Sequence, residues 1–339
     1  MKKSYLIITA AALLAAASCQ KSDTAPAAPE TRYNPVDIVL SAAIEGADTK
    51  VSYTEDANVL KSAWEKDDPV SLVTYDSGGK VLSNDIFTAT EAGASAKFSG
   101  TYSDPAGAVA VSVFYPALTE GDGSDATPWQ SKTKMAGTST LNGVLYNLVK
   151  DKEVIRIRNN SQLQRGNADL SNVKEAAVMQ GVITDIAVLK ADEAKVTLKN
   201  ICYVIKISAK VPSSAGTVKA VTLQAAKADG SDASFCFAGW TRVDSFGIKY
   251  GNPWHYIVLG LGSDFDGSTY GTGISPDSSG YITAYLVGYT GKAQTLPAGA
   301  TLKVSFSGSS ALSKSSTPLV SDLTLEPGKM YRINVDMTK

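Results

Sequence analysis

This 339-residue chain has little of what chemistry usually needs. It holds one histidine, His255, and three cysteines, at positions 19, 202 and 236. Metal sites built from His and Cys therefore have no ligand set at useful spacing. A serine triad would have to use His255, and no G-x-S-x-G elbow occurs. His255 sits at a strand start between aromatics, in NPWHYIVLG, and reads as structural. Charge of one sign is also missing. The 32 basic and 33 acidic residues nearly cancel, and no Lys/Arg stripe gives nucleic acid a footprint. Asp264, Asp266 and Gly267 resemble the start of a calcium loop, but a third acidic position and a closing glutamate are absent, so a solvated loop is expected. These absences point to a non-enzyme with no cofactor, no metal and no nucleic-acid partner.

No apolar run reaches the roughly 20 residues of a spanning helix. The run from Tyr5 to Ala17 is shorter, follows Lys2 and Lys3, and ends in Ala17-Ser18 before Cys19. That is a charged region, an apolar region and small residues at a cleavage point, with a cysteine where an acylated residue must stand. Residues 1–18 read as a lipoprotein signal and Cys19 as the lipidation site. Several acyl chains, at about 0.8 kcal/mol per buried methylene, hold a protein on a membrane without a helix. Residues 19–35 then form a lipidated tether rich in Ala, Pro, Ser and Thr. Gln20 rather than Asp follows the cysteine, which favours an outer-membrane destination. Two cysteines remain beyond the anchor, and sequence leaves open whether Cys202 and Cys236 form a disulfide or stay buried thiols.

The dominant period in the body is two. Ile201, Tyr203, Ile205, Ile207, Ala209 and Val211 share one face of a strand, with Lys206, Ser208 and Lys210 opposite. Val36, Ile38, Leu40 and Ile44 alternate in VDIVLSAAI, as do Tyr331, Ile333 and Val335 near the end. YITAYLVGY at 281–289 is β-branched and aromatic enough to be buried on both faces. Turn signals such as Ser77-Gly78-Gly79, Asp229-Gly230 and Pro327-Gly328 separate these runs. Helical periodicity is scarce, with one short helix expected around Asp169–Ala177. The fold class read from this pattern is all-β, with two sandwiches, 36–190 and 191–339.

The order of motifs resembles the fimbrillin family, the lipoprotein-derived pilus subunits of some Gram-negative gut and oral bacteria. A lipoprotein signal and VDIVLSAAI are followed by ADTKVSY and LKSAWEKDDPVSLVTY, then KFSGTYSD and VSVFYPA, and finally LEPGKMYRINVDM. The Trp64–Lys66–Asp67 stretch resembles that family's W-x-x-G-D segment, with Lys66 where glycine is common. Tyr115-Pro116 resembles its Y-P step, and Pro327-Gly328-Lys329-Met330-Tyr331 its PGK-x-Y ending. Each motif also has a plain structural reading: a core aromatic, a strand terminator and a type II turn.

The resemblance implies two transthyretin-like β-sandwich domains, export as a lipoprotein, and polymerisation by strand exchange with other fimbrial subunits. The first strand, with Val36, Ile38, Leu40, Ala42 and Ile44 inward, would fill a groove until a neighbour's strand replaced it. A trypsin-like protease has Arg32 before that strand and Lys50 after it, and only a cut at Lys50 releases both anchor and strand. Two residues follow Met337, so either the chain is a tip or accessory subunit, or the strand carrying Tyr331, Ile333 and Val335 swings out as donor. The expected location is the outer membrane, through acylated Cys19, and the cell surface or fimbrium, with host or bacterial surface ligands as further partners. Two alternatives stand beside this. One is a membrane-anchor subunit that keeps Cys19. The other is a surface lipoprotein that stacks glycans on Trp129, Trp240, Trp254 or Tyr270.

Overall fold

A computed structural model describes residues 35–44, 54–56, 59–61, 63–79, 81–117, 155–158, 162–176, 178–190, 194–233, 237–244, 247–263, 271–289 and 294–339. The chain is all-β, as its period-two pattern requires. Seven strands close into a barrel in the order Val36–Ile44, Ala194–Asn200, Met179–Ile183, Ala110–Tyr115, Pro69–Tyr75, Val81–Ala89 and Ser95–Tyr102. Closure removes sheet edges, and with them the unpaired N–H and C=O groups that an open sheet exposes. The barrel's interior is packed by Trp64, Phe87, Phe98, Tyr102, Tyr115 and the inward aliphatics of each strand.

The remaining strands form a second packed region. A three-stranded sheet runs Tyr281–Tyr289, Cys202–Lys210, Met330–Asp336. A five-stranded sheet runs Leu312–Ser315, Thr301–Gly308, Val218–Ala226, Tyr256–Leu261, Gln162–Gln164. The two share a core of Ile205, Ile207, Leu223, Leu259, Leu286, Phe306 and their neighbours. Tyr203 pairs with Gly288, whose missing Cβ makes room for the ring: a Cβ there would lie 2.2 Å from the tyrosine Cζ. The short helix expected at 169–177 is found at Ser171–Ala176.

A third cluster joins barrel to sheet. Val73, Tyr75 and Phe114 point out of the barrel and meet Cys202, Val204, Tyr285, Val287 and Met330. This explains why Ala110–Tyr115 is buried at every position and Pro69–Tyr75 at all but its first. It also explains the burial of Ala284–Gly288 on both faces of the strand Tyr281–Tyr289, which its composition anticipates. The sequence boundary at 190/191 falls before Ala194–Asn200, yet that strand is hydrogen-bonded in the barrel, and the change of sheet comes between Asn200 and Cys202. Likewise Gln162–Gln164, from before the boundary, pairs with Tyr256–Leu261. The alternation changes phase at the same place, from Ala194, Val196 and Leu198 to Ile201, Tyr203 and Ile205 across the polar pair Lys199-Asn200.

Candidate functional site

The opening strand Val36–Ile44 is an interior strand of the barrel. Along its length it runs antiparallel to Ser95–Tyr102, from Val36↔Tyr102 to Ala43↔Ser95. Its second half also runs parallel to Ala194–Asn200, from Leu40↔Ala194 to Ile44↔Leu198. The pleat puts Ile38, Leu40, Ala42 and Ile44 in the core, with Leu40 fully buried, and Val36 half-buried beside them. Val39, on the opposite face, is 40% exposed. Burying each large aliphatic is worth about 1.5–3 kcal/mol. An empty slot in this position would expose that surface and unpair two ladders.

Trp64 forms the floor beneath this strand. Its indole N–H donates to the Ala42 carbonyl at 3.0 Å, and its ring meets Phe98 and Tyr115 edge-on at 4.8 and 5.2 Å. The backbone of Trp64 is pinned by a two-way bridge to Gly93. The following turn requires a left-handed residue, and it is Asp67, at φ 70°, that takes it. The glycine-like position is therefore Asp67, not Lys66: counted from Trp64, W-x-x-G-D puts its glycine at 67 and its aspartate at Asp68. Asp68 then folds back and accepts the Glu65 N–H at 2.7 Å. Burial raises the Asp68 carboxyl above its ordinary range, opposed by that hydrogen bond and by the Lys174 ammonium 3.7 Å away. Lys174 also pairs with Glu65. Tyr115, whose hydroxyl lies 3.5 Å from Asp68, is pushed up by burial and by that carboxylate.

The closing strand Met330–Asp336 lies in a different sheet, parallel to Cys202–Lys210, and no ladder joins it to the opening strand. Tyr331, Ile333 and Val335 share its inner face but are only half-buried, while Arg332 and Asn334 are exposed. Among the described residues no strand pairs with its outer edge. Beside it is a cavity of about 190 Å³ lined by Leu223, Leu296, Leu302, Leu325, Tyr331 and Ile333. The Tyr331 hydroxyl donates to the Thr324 carbonyl at 2.7 Å and accepts from the Glu326 N–H at 2.8 Å. The Pro327-Gly328 turn, with Gly328 at φ 75°, aims the chain into this strand.

The other sequence-derived residues are dispersed. Cys19, Arg32, Lys50, Trp129, Cys236, Asp264, Asp266 and Tyr270 lie outside the described residues. Trp240 and Trp254 belong to the strands Phe237–Asp244 and Gly247–Trp254. Cys202 is a buried free thiol, pushed up to about 12 by burial. His255 sits 3.5 Å from Asp232 and packs edge-on to Tyr256. Among the described residues no group of three or more His, Cys, Asp or Glu is placed to hold a metal.

Gln162, Gln164 and Asn172 went unremarked in the sequence. All three are almost fully buried and hydrogen-bond the backbone of Tyr281–Tyr289. Alternation in Gln-Leu-Gln signals a strand with its glutamines outward, the reverse of what is found.

No family model matches the sequence, and no curated protein does. Solved structures similar to this chain include a candidate cell adhesion protein from Bacteroides ovatus, at 13% identity and TM-score 0.42 over 90% of this chain and 92% of that one. A second candidate cell adhesion protein, from Bacteroides uniformis, is similar at 13% identity and TM-score 0.40, covering 89% and 93%. A fimbrial assembly protein from Parabacteroides distasonis is similar at 12% identity and TM-score 0.33, covering 89% and 91%.

Proposed function

We propose that this chain is a structural subunit of a cell-surface fimbrium, of the fimbrillin type, exported as a lipoprotein acylated on Cys19 and assembled with other subunits by strand exchange. The observation that carries the reading is the place of Val36–Ile44. It is the first described strand, it fills an interior slot of a closed barrel, and the strands on either side of it belong to other parts of the chain. One cut in the segment after Ile44 would release it without breaking any other described strand, and Lys50 lies in that segment.

The vacated slot would select its new occupant by register. The replacement must run antiparallel to Ser95–Tyr102 and parallel to Ala194–Asn200, carry apolar residues at alternate positions, and offer a carbonyl to the Trp64 indole. The donor we assign is the closing strand. Among the described residues it is paired on one side only, and its inner residues are half-buried, so its release uncovers less than release of a barrel strand would.

The test is the mature N-terminus of copies carried in surface filaments, read by mass spectrometry. A start at Val51 is expected. Acylated Cys19 on every filament-borne copy would overturn the exchange step and leave an anchor. Truncation after Gly328 should give a folded chain that no longer enters filaments, and normal incorporation would remove the closing strand as donor.

A further inference from the structure

The three-stranded sheet has two edges, and one is sealed in an unusual way. On the strand Tyr281–Tyr289, the backbone groups pointing away from Cys202–Lys210 meet side-chain amides instead of another strand, joined by the backbone N–H of Asp277 at the Tyr281 carbonyl and of Ala168 at the Thr283 carbonyl. Asn167 donates to the Tyr281 carbonyl at 2.8 Å and accepts from the Thr283 N–H at 2.7 Å. Gln164 donates to the Thr283 carbonyl at 2.7 Å and accepts from the Tyr285 N–H at 2.9 Å. Asn172 donates to the Tyr285 carbonyl at 2.6 Å. Gln162 accepts from the Val287 N–H at 2.8 Å and donates to the Val287 carbonyl at 2.6 Å. Each outward donor and acceptor from the Tyr281 carbonyl to the Val287 carbonyl is satisfied. A primary amide presents C=O and N–H side by side, which is the pattern a neighbouring peptide group would present.

These side chains come from one strap, residues 162–172, whose first part is hydrogen-bonded to the five-stranded sheet. The strap thus closes one side of the packed region by reaching across to the other sheet. Aliphatic residues would fill this buried space without desolvating an amide. Burying a polar group is unfavourable unless it is bonded, and here Asn172 even leaves its own Oδ1 without a partner. What the amides supply that aliphatics cannot is saturation of a strand edge.

We propose that the strap is a strand surrogate that keeps this edge from pairing with a second copy of the chain. The exposed partner would be the same strand. Two copies of Tyr281–Tyr289 set antiparallel about Tyr285 bring the outward groups of Thr283 opposite those of Val287, a self-complementary two-fold contact. The run is rich in β-branched and aromatic residues, the composition that pairs well. Sealing this edge leaves Met330–Asp336 as the sheet's open edge among the described residues, so strand addition to the sheet is confined to one side. The inference stands whether or not the opening strand is exchanged.

The test is the full chain carrying Gln162→Met and Gln164→Met, which preserve side-chain length and remove both amides. Amide exchange at Tyr285 and Val287 is expected to rise about tenfold, the worth of one lost hydrogen bond. Mass by light scattering is expected to increase with concentration relative to the unmodified chain. Adding Thr283→Pro, which removes an outward N–H, should return the mass to that of the unmodified chain. The proposal is overturned if the two amides stay protected, if they open while the mass is unchanged, or if Thr283→Pro leaves the association intact. Should the double variant fail to fold, Asn167→Ala at the half-buried end of the strap provides the reading. Faster exchange confined to Thr283 supports the strap as the seal, and unchanged exchange there refutes it.

Discussion

Leu40 measures how firmly the opening strand is held. It is fully buried at the centre of Val36–Ile44, opposite Phe98 on one flank and Ala194 on the other. Leu40→Ala removes three carbons from a site whose neighbours have little freedom to collapse. Ala194 is too short to reach in, and Phe98 is held edge-on against Trp64. Leu→Ala changes in such sites cost about 3–5 kcal/mol, the transfer term plus the cavity left behind. Val39→Ala, one residue away on the face that is 40% exposed, should stay within about 0.5 kcal/mol. The assay is urea unfolding of both variants beside the parent, with the slope checked so that a midpoint shift reports stability alone. A loss below about 1 kcal/mol for Leu40→Ala, or equal losses for the two variants, would refute the claim that the strand's inner face is an integral part of the barrel core.

Two further outcomes follow from groups near the site. Burial raises the folded-state pKa of Asp68 above its unfolded value, so the folded state binds the proton more tightly. Stability contributed through this group is present below the unfolded pKa of about 3.9 and is lost as pH rises through the folded pKa. Relative to Asp68→Asn, the parent chain should therefore lose stability as pH rises from 4 towards neutrality, and a difference that does not change with pH would show that burial is not the dominant influence on this carboxyl. Cys202, with its thiol pushed up to about 12 by complete burial, should resist a thiol reagent at pH 8 until the chain unfolds. Mass mapping of the Cys202 peptide checks this, and full labelling of folded protein would contradict it.

Alternation was enough to find the opening and closing strands and their inward faces. Ile38, Leu40, Ala42 and Ile44 are buried as their spacing requires, and Tyr331, Ile333 and Val335 share one face of the closing strand. The all-β class, the short helix and the Pro327-Gly328 turn are local properties of propensity and backbone geometry, so residues close in sequence determine them. Partners across a sheet are not local. That Ala194–Asn200 lies beside the opening strand, and that a buried Gln162 and Gln164 finish the edge of a strand more than 100 residues away, were decided by packing. A glutamine side chain carries the same donor and acceptor in solvent as in a core, and only the arrival of an unpaired strand edge makes burying it favourable.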